Sequence, residues 1–396
     1  MNILFLNNLL PYPLDNGGKI NTYNTIKALS KNNNVDLLSF INDESERVNI
    51  KRLNTLCDRI QVVKKTVIRG TSTSTFVKDY IMSFFTPLPY VINKFYSKEM
   101  EKLIIQYQGE RNYDLIYVNH LSMMVYNKSF YAKVLLHEQN VESKIFGRFI
   151  RETKNPVKKI LGYNEYLKLK KFEIKMLNKS DCVIALSSID KNEFQQMLND
   201  KADKIHVIAI HIDADLLAFD HHSDQKINLL FMGTMSWYPN QDGIIWFLKN
   251  CFPQLDPQKF NLFVCGSNPP EEVLEYETEK NITVTGYVDD IDDYMKYCDI
   301  GIVPLFIGSG QRVKIIESFA KGLPVVSTSI GAEGIISEQN NILIADSSEK
   351  FIQCIKMLAA DSAFREKIKI NARKIYVKNY STNSLIGKLD KIISEI

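Results

Sequence analysis

The chain has 396 residues, 45% of them hydrophobic and 24% charged, with a formal net charge of +3. It is too long for one ordinary core, so two domains of nearly equal size are expected. No run reaches the ~20 apolar residues of a membrane-spanning helix, the opening MNILFLNNLLPYP reads as strand and turn rather than signal peptide, and the scattered cysteines carry no disulfide or zinc spacing, so a cytoplasmic protein is expected.

Apolar runs of strand length come in two series. The first is NILFLNN, VDLLSF, RIQVVKK, LIYVNH, VLLHEQ, CVIALS and IHVIAI, with helical spacing between most of them. The second is INLLFMG, FNLFVCG, ITVTGYV, IGIVPL, PVVSTS and ILIA. Strands alternating with helices predict an α/β protein whose parallel sheets are covered on both faces. Two Rossmann-like domains follow, over residues 1–210 and 227–375. A linker is expected at residues 211–226, HIDADLLAFDHHSDQK, where periodicity is weakest. Residues 376–396 predict an amphipathic closing helix that packs back on the first domain. Ligands of open α/β sheets bind beyond the carboxyl ends of the strands, so two facing domains imply an interdomain cleft.

Charge is divided unevenly. Residues 1–210 hold 31 Lys+Arg against 21 Asp+Glu, and residues 211–396 hold 18 against 25. The basic half reads either as a lysine-rich solvated surface or as one that faces an anionic acceptor or membrane. Two segments sharpen that choice without deciding it: residues 157–179 carry seven lysines around an apolar stripe, and residues 76–96 are rich in aromatics. The membrane reading places the protein at the periphery of the cell membrane's inner face. No nucleic-acid partner is expected.

Candidate site residues follow the strand ends. After the first strand, Gly17 and Gly18 precede a helical stretch, a pattern that admits a phosphate or sugar but lacks the GxGxxG spacing of a dinucleotide fold. His137 ends the fifth strand, where ligand-facing residues belong, and His120 at the end of the fourth is its rival. Asp213 and Asp215 form a DxD without supporting context and read as a solvated turn. Gly233, followed by Thr234, Ser236 and Asn240, repeats the strand, glycine loop, helix order, with Trp237 and Tyr238 as packing residues. Gly266 ends the next strand, and at Gly286, Tyr287 and Val288 backbone could read a base edge. The aspartates that follow, Asp289 to Asp293, read as an acidic helix start rather than a metal site.

The richest stretch is Ile300 to Gly334, IGIVPLFIGSGQRVKIIESFAKGLPVVSTSIGAEG. Gly308, Ser309 and Gly310 precede a helix whose free N–H groups face an anion. Arg312 and Lys314 add full charges suited to a diphosphate, and Glu317 could accept hydrogen bonds from a ribose diol. A nucleotide is the ligand these residues predict.

The series of glycine loop, HEQNVES, GTMSWYPNQDG, TGYVDD and GSGQRVKIIESFAKGLPVVSTSIGAEG resembles the retaining GT-B glycosyltransferases of family 4 over almost the whole chain. The resemblance implies two Rossmann-like domains with a nucleotide-sugar site between them. By it, Gly17 and Gly18 lie near the donor diphosphate and sugar, His137 contacts the sugar or phosphate, Gly233 lies under the diphosphate, Tyr287 and Val288 lie by the base, and Glu317 holds the ribose. Thr234 and Gly266 complete the substrate-binding set. Two departures stand out. Ser309 occupies the place of a family glutamate, so backbone N–H groups of Ser309, Gly310 and Gln311 are expected to serve in its stead. The cations that many members carry after the glycine matching Gly233 are absent, which assigns the leaving diphosphate to Arg312 and Lys314.

The expected activity is retaining, metal-independent, hexosyltransferase-like transfer from a UDP- or GDP-linked sugar to a glycan or lipid-linked acceptor, as in surface polysaccharide synthesis, with no cofactor. A sugar-nucleotide epimerase of the same fold and an inactive nucleotide-sugar-binding subunit remain the alternatives.

Overall fold

The computed structural model describes all residues except 15, 67–85, 153–155, 200–202, 218–225, 309 and 339, and the side chains of 149, 152, 157 and 158. Of the aromatic stretch at 76–96, residues 76–85 lie outside the described residues, as does Ser309.

The chain divides into two units, Met1–Ala209 with Leu385–Ile396, and Ile210–Ser384. In the first, β1 (Asn2–Asn7), α1 (Gly17–Leu29), β2 (Asn34–Ile41), β3 (Arg59–Lys64), α2 (Lys98–Glu110), β4 (Leu115–Asn119), β5 (Lys133–His137), α3 (Glu142–Glu152), α4 (Pro156–Lys179), β6 (Cys182–Ala185), α5 (Ser188–Met197) and β7 (Ile205–Val207) follow in order. The strands form one parallel sheet in the order β3-β2-β1-β4-β5-β6-β7. Both faces are dry, and strand alternation assigns each residue to a side. Leu4, Leu6, Ile116, Val118 and Leu136 join a core covered by α2, α4 and α5. Ile3, Phe5, Leu115, Tyr117 and Leu135 join the opposite core, on which α1 lies.

The second unit contains β8 (Ile227–Met232), α6 (Tyr238–Asn250), β9 (Phe260–Cys265), β10 (Ile282–Gly286), β11 (Ile300–Val303), α7 (Val313–Lys321), β12 (Val325–Ser327), β13 (Leu343–Ile344), α8 (Ser348–Ala360) and α9 (Ser362–Asn379). Its sheet is also parallel, in the order β10-β9-β8-β11-β12-β13. Phe247 of α6 and Phe351 of α8 meet over Leu229, Phe231 and Ile302 in its main core.

The ends of the second unit differ from expectation. Of the polar segment expected as a linker, His211 and Ile212 are buried, the Ile212 N–H donates to Tyr380 O at 3.1 Å, and the Leu217 N–H donates to Lys321 O at 3.1 Å. Backbone pairing rather than apolar periodicity fixes this stretch, so residues 211–217 belong to the second unit. The closing helix α10 (Thr382–Glu395) starts later than residue 376. Tyr376 belongs to α9, and the chain breaks at Tyr380 and Ser381, where Ser381 forms a bridge to Ile212. Leu385, Leu389, Ile392 and Ile393 of α10 are buried in the first unit's core beside α1.

Candidate functional site

In the second unit, three adjacent strands each run into a glycine at the carboxyl edge. The Gly233 N–H donates to Cys265 O and the Gly266 N–H to Gly286 O, both at 2.9 Å. A Cβ on Gly266 would run into the Gly233 carbonyl. On Gly233, at φ +149°, it would come 2.5 Å from Asn240 Nδ2 and 2.7 Å from Lys314 Nζ. Packing therefore demands glycine at Gly266, and the positive φ favours it at Gly233.

The same crowding locates the cations. Lys314, in the first turn of α7, donates to Asn240 Oδ1 at 2.9 Å, and its Nζ stands 4.9 Å from the Phe231 ring centroid. Asn240 Nδ2 donates to Thr234 O at 2.8 Å, so this amide joins lysine and loop. Burial of the ammonium, then the neighbouring charge of Arg312, brings the Lys314 pKa from 10.5 down to about 7. Arg312 is itself buried, with its guanidinium 5.3 Å over the Trp237 ring, so Trp237 serves to seat a cation. The backbone bends sharply just before it, with Gly308 at φ +118° and Gly310 at φ +82°. Neither α6, capped at Trp237, nor α7, capped at Arg312, has its N-terminus closed by a side-chain hydrogen bond. The start of α7 with Lys314 and Arg312 beside it is an arrangement whose charge suits an anion.

One turn into α7, Glu317 Oε1 accepts from Lys321 Nζ at 2.8 Å, and Lys321 also pairs with Asp292. Thus one carboxylate oxygen of Glu317 is tethered. Thr234 Oγ1 is exposed and shares hydrogen bonds with Ser236 and Ser267. Tyr287 is exposed and Val288 half-buried beyond β10. The side chain of Gln311 is engaged within the fold. Its Oε1 accepts from Ile210 N and its Nε2 donates to Gly334 O, each at 2.7 Å, so it pins the glycine loop to its own unit. The sequence reading missed Lys321 and Asp292; the spacing of Glu317 and Lys321, one helical turn apart, was the available signal.

In the first unit, Gly17 and Gly18 open α1, which Asn16 caps by accepting from the Lys19 N–H at 3.1 Å. A Cβ on Gly18 would touch only Asn16 Oδ1 at 3.4 Å, so packing does not require glycine there. Beside α1, buried Asn119 donates to Asn7 at 2.7 Å and Thr22 at 2.9 Å, while Gln139 donates to Asn119 at 2.8 Å and accepts from Asn21 at 3.1 Å. This amide chain was not foreseen, although a polar residue closes each of these apolar strands.

The two histidines separate. His137 does not line an open edge: it is buried on the same sheet face as Leu135, its Nδ1 is 2.7 Å from Tyr117 Oη, and burial lowers its pKa to about 3. The strand's alternation turns it inward. His120, at φ +92° just past β4, keeps a fifth of its side chain exposed. Its Nδ1 accepts the Ser122 N–H at 3.1 Å, which leaves Nε2 facing Glu142 Oε1 at 3.3 Å. Burial would raise Glu142, yet the hydrogen bond and charge of His120 help bring it below the usual carboxylate range. Nearby Glu173 closes the N-terminus of α3, accepting from the N–H groups of Glu142 at 2.8 Å and Ser143 at 3.3 Å; burial lifts it to about 7. Glu138 is buried, and burial together with Glu173 and Glu142 holds its pKa well above the ordinary value.

Residues 226–361, containing β8 to β13 and the cation loop, match the family model described as glycosyl transferases group 1. Solved structures of similar fold include Anabaena Alr3699/HepE in complex with UDP, at 15% identity and a TM-score of 0.70 with 100% of both chains covered. Sucrose-phosphate synthase from Thermosynechococcus elongatus is similar at 15% identity and a TM-score of 0.70, over 100% of this chain and 99% of that one. The chain has the GT-B fold. Among curated proteins, an uncharacterized 44.6 kDa protein in the cps region of Klebsiella pneumoniae is 23% identical over 96% of this chain and 97% of its own length. Within this GT-B chain, the family match falls on the unit that carries Arg312, Lys314 and Glu317.

Proposed function

We propose that this chain is a retaining glycosyltransferase that moves a sugar from a nucleotide-sugar donor to a glycan or lipid-linked acceptor. The observation that carries the reading is the uncapped start of α7, where Lys314 and Arg312 crowd a glycine edge and Glu317 follows one turn later. A donor diphosphate fits the two cations and the start of α7, and a ribose fits the untethered oxygen of Glu317. Support for the donor class comes from the Anabaena neighbour, whose structures include complexes with UDP and with UDP-glucose.

In this reading the bond from the sugar's anomeric carbon to the phosphate oxygen breaks while a bond to the acceptor hydroxyl oxygen forms on the same face. The acceptor's proton passes to the departing phosphate oxygen, so retention follows without a protein nucleophile. Charge gathering on the diphosphate is met by Arg312, Lys314 and the helix N–H groups, which are already in place. These fixed cations supply the charge a divalent metal would otherwise bring, and the reaction is proposed to be metal-independent. Of the histidines, His120 rather than His137 is assigned to the sugar or acceptor, because it retains an exposed edge and a carboxylate partner.

The test is turnover with a panel of UDP- and GDP-sugars, product configuration being read by NMR. Transfer with retention, lost in Arg312→Ala and Lys314→Ala variants that remain folded, is the expected result. His120→Gln, which removes a positioning contact to the sugar or acceptor, is expected to lose up to about 100-fold in kcat and His137→Gln much less. Interconversion of the donor without transfer would replace this reading with an epimerase, and binding without turnover with a scaffold.

A further inference from the structure

The long helix α4 carries more apolar surface to solvent than a helix packed on its own sheet requires. Its inner side is ordinary: Leu169, Phe172, Met176 and Leu177 are buried in the first unit's core. On its outer side Ile160, Tyr163 and Leu167 are 73%, 55% and 47% exposed. Positions 160, 163 and 167 fall on one face, at the i, i+3, i+7 spacing of a stripe. Single exposed apolar residues need no explanation, whereas three in register along two turns do.

The exposed charges that α4 itself carries have one sign. Both acids of α4 are turned inward: Glu165 is buried and accepts the Val91 N–H at 3.1 Å, and Glu173 is buried at the start of α3. Lys159, Lys170 and Lys171 are exposed. Two neighbouring glycines hold α3 close beside this helix, since a Cβ on Gly147 would come 3.1 Å from Tyr166 and one on Gly162 3.1 Å from Ile150. The stripe therefore sits on a packed helical pair rather than on a lone helix.

We propose that this face of α4 docks on an anionic lipid bilayer, with Ile160, Tyr163 and Leu167 entering the headgroup boundary and Lys159, Lys170 and Lys171 reaching lipid phosphates. A second copy of the same face would set lysine against lysine, whereas an anionic membrane complements both the charge and the apolar stripe. Long lysine stems allow the ammonium groups to stay at the phosphates while the stripe is immersed. The docking needs no nucleotide sugar, so its test is independent of the proposed transfer reaction.

The experiment is flotation of the full chain with vesicles of pure phosphatidylcholine or of phosphatidylcholine and phosphatidylglycerol in equal parts, at low and high salt. Flotation with the anionic vesicles at low salt only is the expected result. An Ile160→Ser/Leu167→Ser variant and a Lys159→Gln/Lys170→Gln/Lys171→Gln variant should each lose it, every neutralised lysine weakening partition by about fivefold. Circular dichroism melts of both variants verify that the fold is intact, which their exposure favours. The proposal is overturned if the parent chain stays at the bottom of the gradient with anionic vesicles, or if the folded variants float as it does. It is also overturned if light scattering shows the stripe to be buried in a dimer that the Ile160→Ser/Leu167→Ser variant dissolves.

Discussion

At the scale of single residues, Lys314 is the group whose charge state matters most. Burial and Arg312 bring its pKa to about 7 from 10.5, so in the empty protein it is partly neutral near pH 7. A diphosphate favours the charged form, and binding must then take up a proton. UDP affinity is accordingly expected to fall as pH rises above 7, approaching about tenfold per unit. Calorimetric titrations in buffers of differing ionisation enthalpy would measure both the decline and the proton uptake. The effect on folding has the opposite sign. Between about 7 and 10.5 the unfolded chain holds a proton on this lysine that the fold has released, so this group makes stability rise with pH through that window. Lys321 holds Glu317, the carboxylate proposed to meet the ribose. Lys321→Met removes the partner of Glu317 and Asp292, and a loss of about 1–2 kcal/mol is expected in urea denaturation, below the fully buried value because both acids keep some surface. If the lysine orients Glu317 toward a ribose, the variant should also lose discrimination between UDP and its 2′-deoxy analogue; unchanged discrimination would limit Lys321 to stability.

At the scale of elements, the carboxyl edge of the second sheet is built from glycines with unequal reasons for being glycine. Gly266 has no room for a Cβ because the Gly233 carbonyl occupies the space, whereas Gly286 has open space and only a φ of +66°. Gly266→Ala is therefore expected to cost about 3–5 kcal/mol and Gly286→Ala about 1–2 kcal/mol, a contrast that urea denaturation of the two variants would resolve. In the sequence these glycines look alike, each closing an apolar strand, and only the approach of neighbouring strands and of Lys314 distinguishes them. The strands themselves were legible because a parallel strand buried on both faces must be apolar throughout, as in Leu229 to Phe231. His137 shows the limit of that reasoning: a strand's end could be placed, yet the side to which its last residue turned depended on the alternation inside a folded sheet.

At the scale of the whole chain, sequence order and structural unit part company at the end. Helix α10 follows the second unit in sequence but completes the core of the first, through Leu385, Leu389, Ile392 and Ile393. Leu389→Ala is expected to destabilise the first unit by about 2–4 kcal/mol. In scanning calorimetry this should lower the unfolding transition that UDP does not shift, and a change confined to the UDP-sensitive transition would contradict that assignment.

By itself the sequence determined the two series of parallel strands, the glycine loops at their ends and the cations of the Gly308 to Lys321 segment, because burial, backbone freedom and charge are properties of residue types in local order. Tertiary structure decided the rest. It turned His137 inward and left His120 an exposed edge, gave Gln311 to the backbone, tethered Glu317 through Lys321, drew residues 211–217 into the second unit and returned α10 to the first. Each of these depends on which distant groups meet, and a pattern read along one chain does not contain that distance.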